Sequence, residues 1–144
     1  VAVQIEVLSE ITDEVTEAFG RLLPQLSTSA AALDQAALQT VVAAQSSTVL
    51  VARWDGRISG ALTLVMFPIP TGLQAIIEDV VVDGEARGQG IGELLTREAL
   101  RLAQRAGARR VDLTSRPSRQ AAGRLYERVG FRQRDSRVYR YTFG

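Results

Sequence analysis

The stretch Glu78-Asp79-Val80-Val81-Val82-Asp83-Gly84-Glu85-Ala86-Arg87-Gly88-Gln89-Gly90-Ile91-Gly92 constrains the fold of this chain more than any other. Its valine run reads as a buried strand, the alternating glycines as a loop, and the pattern from Ile91 onward as an amphipathic helix. A strand–loop–helix junction of this kind presents the unpaired N–H groups of a helix start, backed by the positive end of the helix dipole, to an anion. Gly88, Gly90 and Gly92 carry no Cβ, so an anion can come close to the main chain, and Arg87 adds a fixed positive charge. The junction predicts a site for a cofactor that carries phosphate.

Spacing and composition remove the commonest alternatives. A dinucleotide fingerprint needs glycine three residues after Gly90, where this chain has Glu93, and a P-loop needs a lysine, of which there are none. Cysteine and histidine are absent as well. That excludes disulfides, thiol nucleophiles, Ser-His-Asp arrangements and zinc sites built on imidazole or thiolate, and no metal is expected. The chemistry falls to carboxylates, tyrosines, hydroxyls and backbone groups.

The 144 residues, 46% hydrophobic and 23% charged, are read as one globular domain spanning 1–144. No apolar run approaches the ~20 residues of a membrane span. Val1-Ala2-Val3-Gln4-Ile5 shows neither a basic region nor a long apolar core, so no secretory signal and a cytoplasmic location are expected. Residues 1–86 carry 3 Arg against 11 acidic residues, a net of −8, whereas residues 87–144 carry 14 Arg against 5, a net of +9. A basic half suits phosphates and an acidic half suits a cationic amine. Arg97, Arg101 and Arg105 recur every four residues with Glu93 and Glu98 in reach, which is the pattern of a solvated helix face. The basic residues are not interleaved with aromatics and no nucleic-acid motif accompanies them, so no nucleic-acid partner is expected.

Alternation over Val3 to Leu8 predicts a first strand. Thr12 predicts an N-cap for a helix whose stripe is Val15, Ala18, Phe19 and Leu22 and which stops near Pro24. After the Ser/Thr-rich Ser27 to Ser29 comes a second helix with Leu38, Val41 and Val42 inward. Val49 to Trp54, the turn Asp55-Gly56, and Arg57 to Met66 read as a hairpin. The breakers Pro68 to Gly72 precede a longer strand, Leu73 to Val82. Past the loop, Ile91, Leu94, Leu95, Ala99, Leu102 and Ala106 form one helical face that Gly107 ends. Val111 to Thr114 reads as a strand, Pro117 and Ser118 start a helix carrying Tyr126, and Phe131 to Arg134 and Val138 to Phe143 read as a final pair of strands. This order predicts an α/β fold with a mixed, mostly antiparallel central sheet flanked by helices on both faces.

Arg87 to Gly92 resembles the R/Q-x-x-G-x-G/A loop of the GNAT family of N-acetyltransferases, and Ala122 to Phe131 resembles a second signature of that family, A-x-x-L-Y-x-x-x-G-F. The likeness covers Ile76 to Phe131 well. It implies acetyl-CoA as co-substrate, held by Arg87, Gly88, Gln89, Gly90, Ile91 and Gly92 at its pyrophosphate. The main chain of Val80, Val81 and Val82 would hold the pantetheine arm and the oxyanion. It further implies direct transfer of an acetyl group to a primary amine, small molecule or peptide, in a ternary complex. Dimers are common among such proteins, so a homodimer is among the expectations. The alternative is a non-catalytic acyl-CoA-binding module on the same fold.

Tyr126 is the candidate general acid, because a phenol of pKa ~10 can donate to a thiolate of pKa ~8.5 without perturbation. Glu78 and Asp79 are the candidate bases. On a regular strand they point to opposite faces, so only one serves, and Glu78, expected on the face of Val80 and Val82, is narrowly preferred. Departures from the family pattern are Gly84 in place of a common proline, Thr114 where some members have a glutamate, and Arg119 where many have an asparagine. Arg119 is retained as a candidate for a coenzyme A phosphate. The acceptor is expected to be chosen by Phe19 to Ala44 and Met66 to Leu73.

Overall fold

The computed structural model describes residues 2–27 and 33–144; Thr28 and Ser29 of the expected Ser/Thr-rich connection lie outside them. The chain divides into two compact units, Val1–Thr114 and Ser115–Gly144.

The first unit is a four-stranded antiparallel sheet in the order β1-β2-β3-β4, with β1 Val3–Val7, β2 Ser47–Trp54, β3 Arg57–Ile69 and β4 Gly72–Val82. Asp55 and Gly56 both take positive φ (53° and 74°), as a two-residue hairpin turn of the right twist requires. β3 runs past the expected Met66 and includes Pro68, paired with Leu73 of β4. Proline is tolerated there because β2 pairs with β3 only as far as Val65, which leaves that edge of Pro68 without a neighbour. The expected strand at Val111 to Thr114 is reduced to a single parallel bridge. Ile77 N–H donates to Asp112 O (2.9 Å) and Asp112 N–H to Ala75 O (3.0 Å).

Helix α1 (Asp13–Leu26) starts where the sequence predicts, with Val15 N–H donating to Thr12 Oγ1, but does not stop at Pro24. Pro24 sits in the last turn, where its missing N–H removes one bond, and Ser27 N–H still closes on Leu23 O (3.0 Å). Helix α2 (Gln35–Ala43) is capped by Asp34, which accepts from Ala37 N–H at 2.8 Å. These two helices pack Val15, Phe19, Leu22 and Leu38 against Val49, Val51, Ala61 and Val81 on one face of the sheet. Helix α3 (Ile91–Arg105) covers the other face with Ile91, Leu95, Thr96, Ala99 and Ala103. Leu94 and Ala106, expected on that face, are exposed. The expected ion pairs of its outer face form, Arg97–Glu93 at 3.0 Å and Arg101–Glu98 at 2.7 Å.

Gly60 explains how close α3 comes. A Cβ there would stand 2.8 Å from Ile91 Cγ2, 3.2 Å from Val81 O and 3.3 Å from Leu95 Cδ1. The glycine lets the first turn of α3 seat directly on β3 and β4, which fixes the loop in front of it.

The second unit contains α4 (Gln120–Val129), which starts later than the expected Pro117 and Ser118. Gly130 N–H and Phe131 N–H both close on Tyr126 O, at 3.1 and 2.9 Å, and the Phe131 ring folds back edge-on to Tyr126 at 5.7 Å. Phe131 to Arg134 and Val138 to Phe143 are not strands. Their β-branched and aromatic content is real, but such residues form a strand only against a paired neighbour, and among the described residues none pairs with them. Val138, Tyr139, Tyr141 and Phe143 are accordingly exposed.

Candidate functional site

β4 carries the chemistry of the first unit at two places, a bulge in its middle and a loop at its end. Thr63 pairs with Glu78 and Ala61 with Val81, so one residue of β3, Leu62, stands against two of β4, Asp79 and Val80. The extra residue is taken up at Asp79, which adopts φ 52°, a left-handed conformation uncommon for anything but glycine. The bulge changes the expected alternation. Pairing with Thr63 and Ala61 puts Glu78 on the face of Val81, beneath α1 and α2, and not with Val80 and Val82. Asp79 borders a cavity on that side with Phe19, Leu23, Leu38, Val41 and Val81. One inserted residue shifts the pleat by a half period, so the expected sharing of a face by Glu78, Val80 and Val82 is lost. Both are exposed, and neither has a hydrogen-bond or ion-pair partner among the described residues.

Val80, Val81 and Val82 follow the bulge. Val81 and Val82 pair inward with Ala61 and Gly60, while the outer edge of β4 is engaged, among the described residues, by the bridge at Ile76. Main-chain groups directed outward from Val80 to Val82 thus have no strand partner among the described residues, which is the condition for an added extended segment to bind there.

The chain leaves β4 through Asp83 and a short 3₁₀ turn, Gly84–Ala86. Asp83 is almost fully buried and accepts from Arg21 Nη1 at 2.8 Å, Gln25 Nε2 at 3.4 Å and Glu85 N–H at 3.2 Å. Gln25 Oε1 accepts from Gly84 N–H at 2.8 Å, and Arg21 Nη2 donates to Ile58 O at 3.0 Å. Burial opposes ionisation of Asp83, but the Glu85 N–H, the Gln25 amide and the Arg21 guanidinium outweigh it and hold the carboxyl below its ordinary range. Side chains from α1 thus clamp the root of the loop.

Beyond the clamp, Ala86 is buried and Arg87, Gly88, Gln89 and Gly90 are exposed. Gly88 and Gly90 take φ 83° and 77°, and a Cβ at either would meet nothing within 4 Å. The left-handed backbone, not crowding, requires glycine at both positions. Gly90 is the N-cap of α3 and provides no side-chain cap, so the first-turn amides, including those of Ile91 and Gly92, face outward without one. An exposed Arg87, two open glycines and an uncapped helix start make an anion cradle.

In the second unit Tyr126 is half-buried on α4. Burial raises its pKa and the charge of Arg119, at the N-cap of the same helix, partly opposes this, so the phenol keeps its proton well beyond neutral pH. Arg119 is exposed, and its carbonyl accepts from Gly123 N–H at 3.1 Å.

Sequence reasoning missed Gly60, Arg21, Gln25 and Asp83. Ending the helix at Pro24 hid Gln25, and no local pattern signals that Arg21 reaches a residue 62 positions away. Among the described residues no helix is long and apolar enough to cross a membrane.

Residues 8–131 match the model of the acetyltransferase (GNAT) family. Among curated proteins none matches the chain. Solved structures similar to it include an acetyltransferase from Trypanosoma brucei (24% identity, 98% of this chain and 100% of that one, TM-score 0.78). A ribosomal-protein-alanine N-acetyltransferase from Brucella melitensis aligns over 99% of this chain and 100% of its own at 23% identity and TM-score 0.80. An aminoglycoside acetyltransferase from an uncultured soil metagenomic sample aligns over 99% and 97% at 21% identity and TM-score 0.83.

Proposed function

The chain belongs to the GNAT acetyltransferase family, and from that premise we propose that it is an acetyl-CoA-dependent N-acetyltransferase that transfers the acetyl group directly to a primary amine in a ternary complex. The observation that carries the reading is the cradle at the end of β4, where Gly88 and Gly90 hold left-handed conformations beside open space in front of the uncapped start of α3. These residues fit a diphosphate, because they offer backbone donors and the positive end of a helix dipole without a side chain in the way.

Bound acetyl-CoA supplies an acyl carbon attached to a good leaving sulfur. Arg87 to Gly92 grip its phosphates, the outward main chain of Val80 to Val82 orients the arm and donates to the carbonyl oxygen, and Arg119 binds a further phosphate. Glu78 or Asp79, directly or through water, takes the ammonium proton so that the amine nitrogen has a free lone pair. Tyr126 gives a proton to the departing sulfur. Little else is required, since holding two reactants together is worth effective molarities of roughly 10⁵ M or more. The reading takes 1–144 as one functional domain, supported by a family match that runs from residue 8 to 131, and assigns the reaction to the cytoplasm, where acetyl-CoA is supplied.

Free-thiol release in the presence of an amine panel tests the activity, and a chain that binds acetyl-CoA yet releases no thiol with any amine is a binding module instead. In the same assay Tyr126→Phe should lower kcat by roughly 10²-fold, the scale of general-acid catalysis, with acetyl-CoA affinity little changed. An unaltered kcat removes that role from Tyr126.

A further inference from the structure

Resting on the N-acetyltransferase reading, we infer that the acceptor is a small aliphatic primary amine whose apolar end fills the cavity between α1, α2 and β4 while its ammonium pairs with Asp79. The cavity measures about 70 Å³ and its described walls are mostly carbon: Phe19 and Leu23 of α1, Leu38 and Val41 of α2, and Val81 of β4, with the hydroxyl-bearing Thr63 of β3 among them. Asp79 supplies its one charged group. Every other wall residue is buried or half-buried and Asp79 alone is exposed, so the carboxylate stands where the cavity meets solvent.

Three observations separate this from a packing gap. Asp79 holds a left-handed backbone at φ 52°, the kind of strain that persists where a side chain must be aimed. It has no protein partner among the described residues, so its charge is available to a cation. It also directly precedes Val80 to Val82, the segment assigned to the acyl donor, so an amine nitrogen held by Asp79 is next to the carbon it must attack. Size narrows the class. The volume is roughly half the ~150 Å³ of an apolar cavity that admits benzene, which suits a short aliphatic tip and is too little for a sugar ring. A sugar ring would also bring several hydroxyls to a wall that offers one, at Thr63, which disfavours amino sugars.

Initial rates of free-thiol release with ethylamine, propylamine, isobutylamine, hexylamine, ethanolamine and glucosamine decide the matter. The expected result is a kcat/KM that rises about fourfold for each methylene buried, the equivalent of about 0.8 kcal/mol, peaks at propyl or isobutyl and falls for hexyl. Leu23→Ala should shift the optimum to longer chains and Val41→Phe to shorter ones, and a thermal melt in the presence of acetyl-CoA verifies that each is folded. Asp79→Asn should raise KM for every amine without moving the chain-length optimum. Release with glucosamine at a rate equal to propylamine, or an optimum unmoved in both cavity variants, overturns the inference and leaves N-acetyl transfer standing. Absence of release with all six amines overturns the inference, and the N-acetyltransferase reading falls with it only if a wider panel that includes peptide amines is also silent in a protein that binds acetyl-CoA.

Discussion

On one face of the four-stranded sheet, α3 lies so close that Gly60 has no room for a Cβ; on the other, α1 and α2 leave a cavity of about 70 Å³. The same strand serves both. β4 presents its end to the tight face, where the loop Arg87 to Gly92 enters α3, and its bulge to the loose face, where Asp79 borders the cavity. A phosphate grip built from backbone amides works only if those amides stay fixed, so it belongs on the densely packed side. An acceptor pocket needs unfilled volume, so it belongs on the side where packing is incomplete. The clamp of Arg21 and Gln25 on Asp83 and Gly84 joins the two, since it lets the helix above the cavity hold the root of the loop.

The sharpest way to break this contrast is to crowd the tight face. Gly60→Val forces a branched side chain against Ile91 and the Val81 carbonyl and should cost about 3 kcal/mol, the upper part of the overpacking range, lowering Tm by roughly 5–10 °C. Acetyl-CoA affinity should fall with it, because α3 must move away. Calorimetry together with cofactor titration reads both, and a stable variant with full affinity would mean that close approach of α3 does not position the loop.

Removing the clamp comes next. Arg21→Ala leaves buried Asp83 without its guanidinium and should cost about 1–3 kcal/mol. Its pH dependence has a definite sign. Asp83 has a depressed folded-state pKa, so its contribution is present above the ordinary carboxylate pKa, about pH 4, and is lost as pH falls below that through the depressed value. Acid titrations of wild type and Arg21→Ala should therefore converge at low pH and separate above about pH 4; parallel curves would show that the pair does not act through ionisation. The smallest expected effect is at the loop itself. Gly90→Ala meets no atom within 4 Å, so only its left-handed φ resists, at about 1 kcal/mol. It should weaken acetyl-CoA binding several-fold with little change in Tm, and equal losses of both would indicate that the loop is part of the folding core.

The elements made by local pattern were legible in the sequence. The Thr12 cap, the Asp55-Gly56 hairpin and the amphipathic α3 depend on residues within a few positions of one another, and each formed where spacing put it. The bulge was not legible. Glu78-Asp79-Val80 reads as regular alternation, and only pairing with β3, one residue against two, puts Glu78 on the face of Val81. Pro24 misled for a related reason, because a proline in a last turn breaks one bond, which packing of the helix outweighs. Val138 to Phe143 failed in the opposite sense, having strand propensity but no paired neighbour.

By itself the sequence determined a strand running into a glycine loop and a helix, because left-handed glycines and an uncapped helix start are properties of neighbouring residues. It also determined the family signatures around that loop. Tertiary structure alone decided that Gly60 must lack a side chain, that Arg21 and Gln25 hold Asp83 and Gly84, and that Asp79 borders an apolar cavity. Each of these joins residues far apart in the chain, and which of them meet is set by strand register and helix packing, which no local spacing encodes.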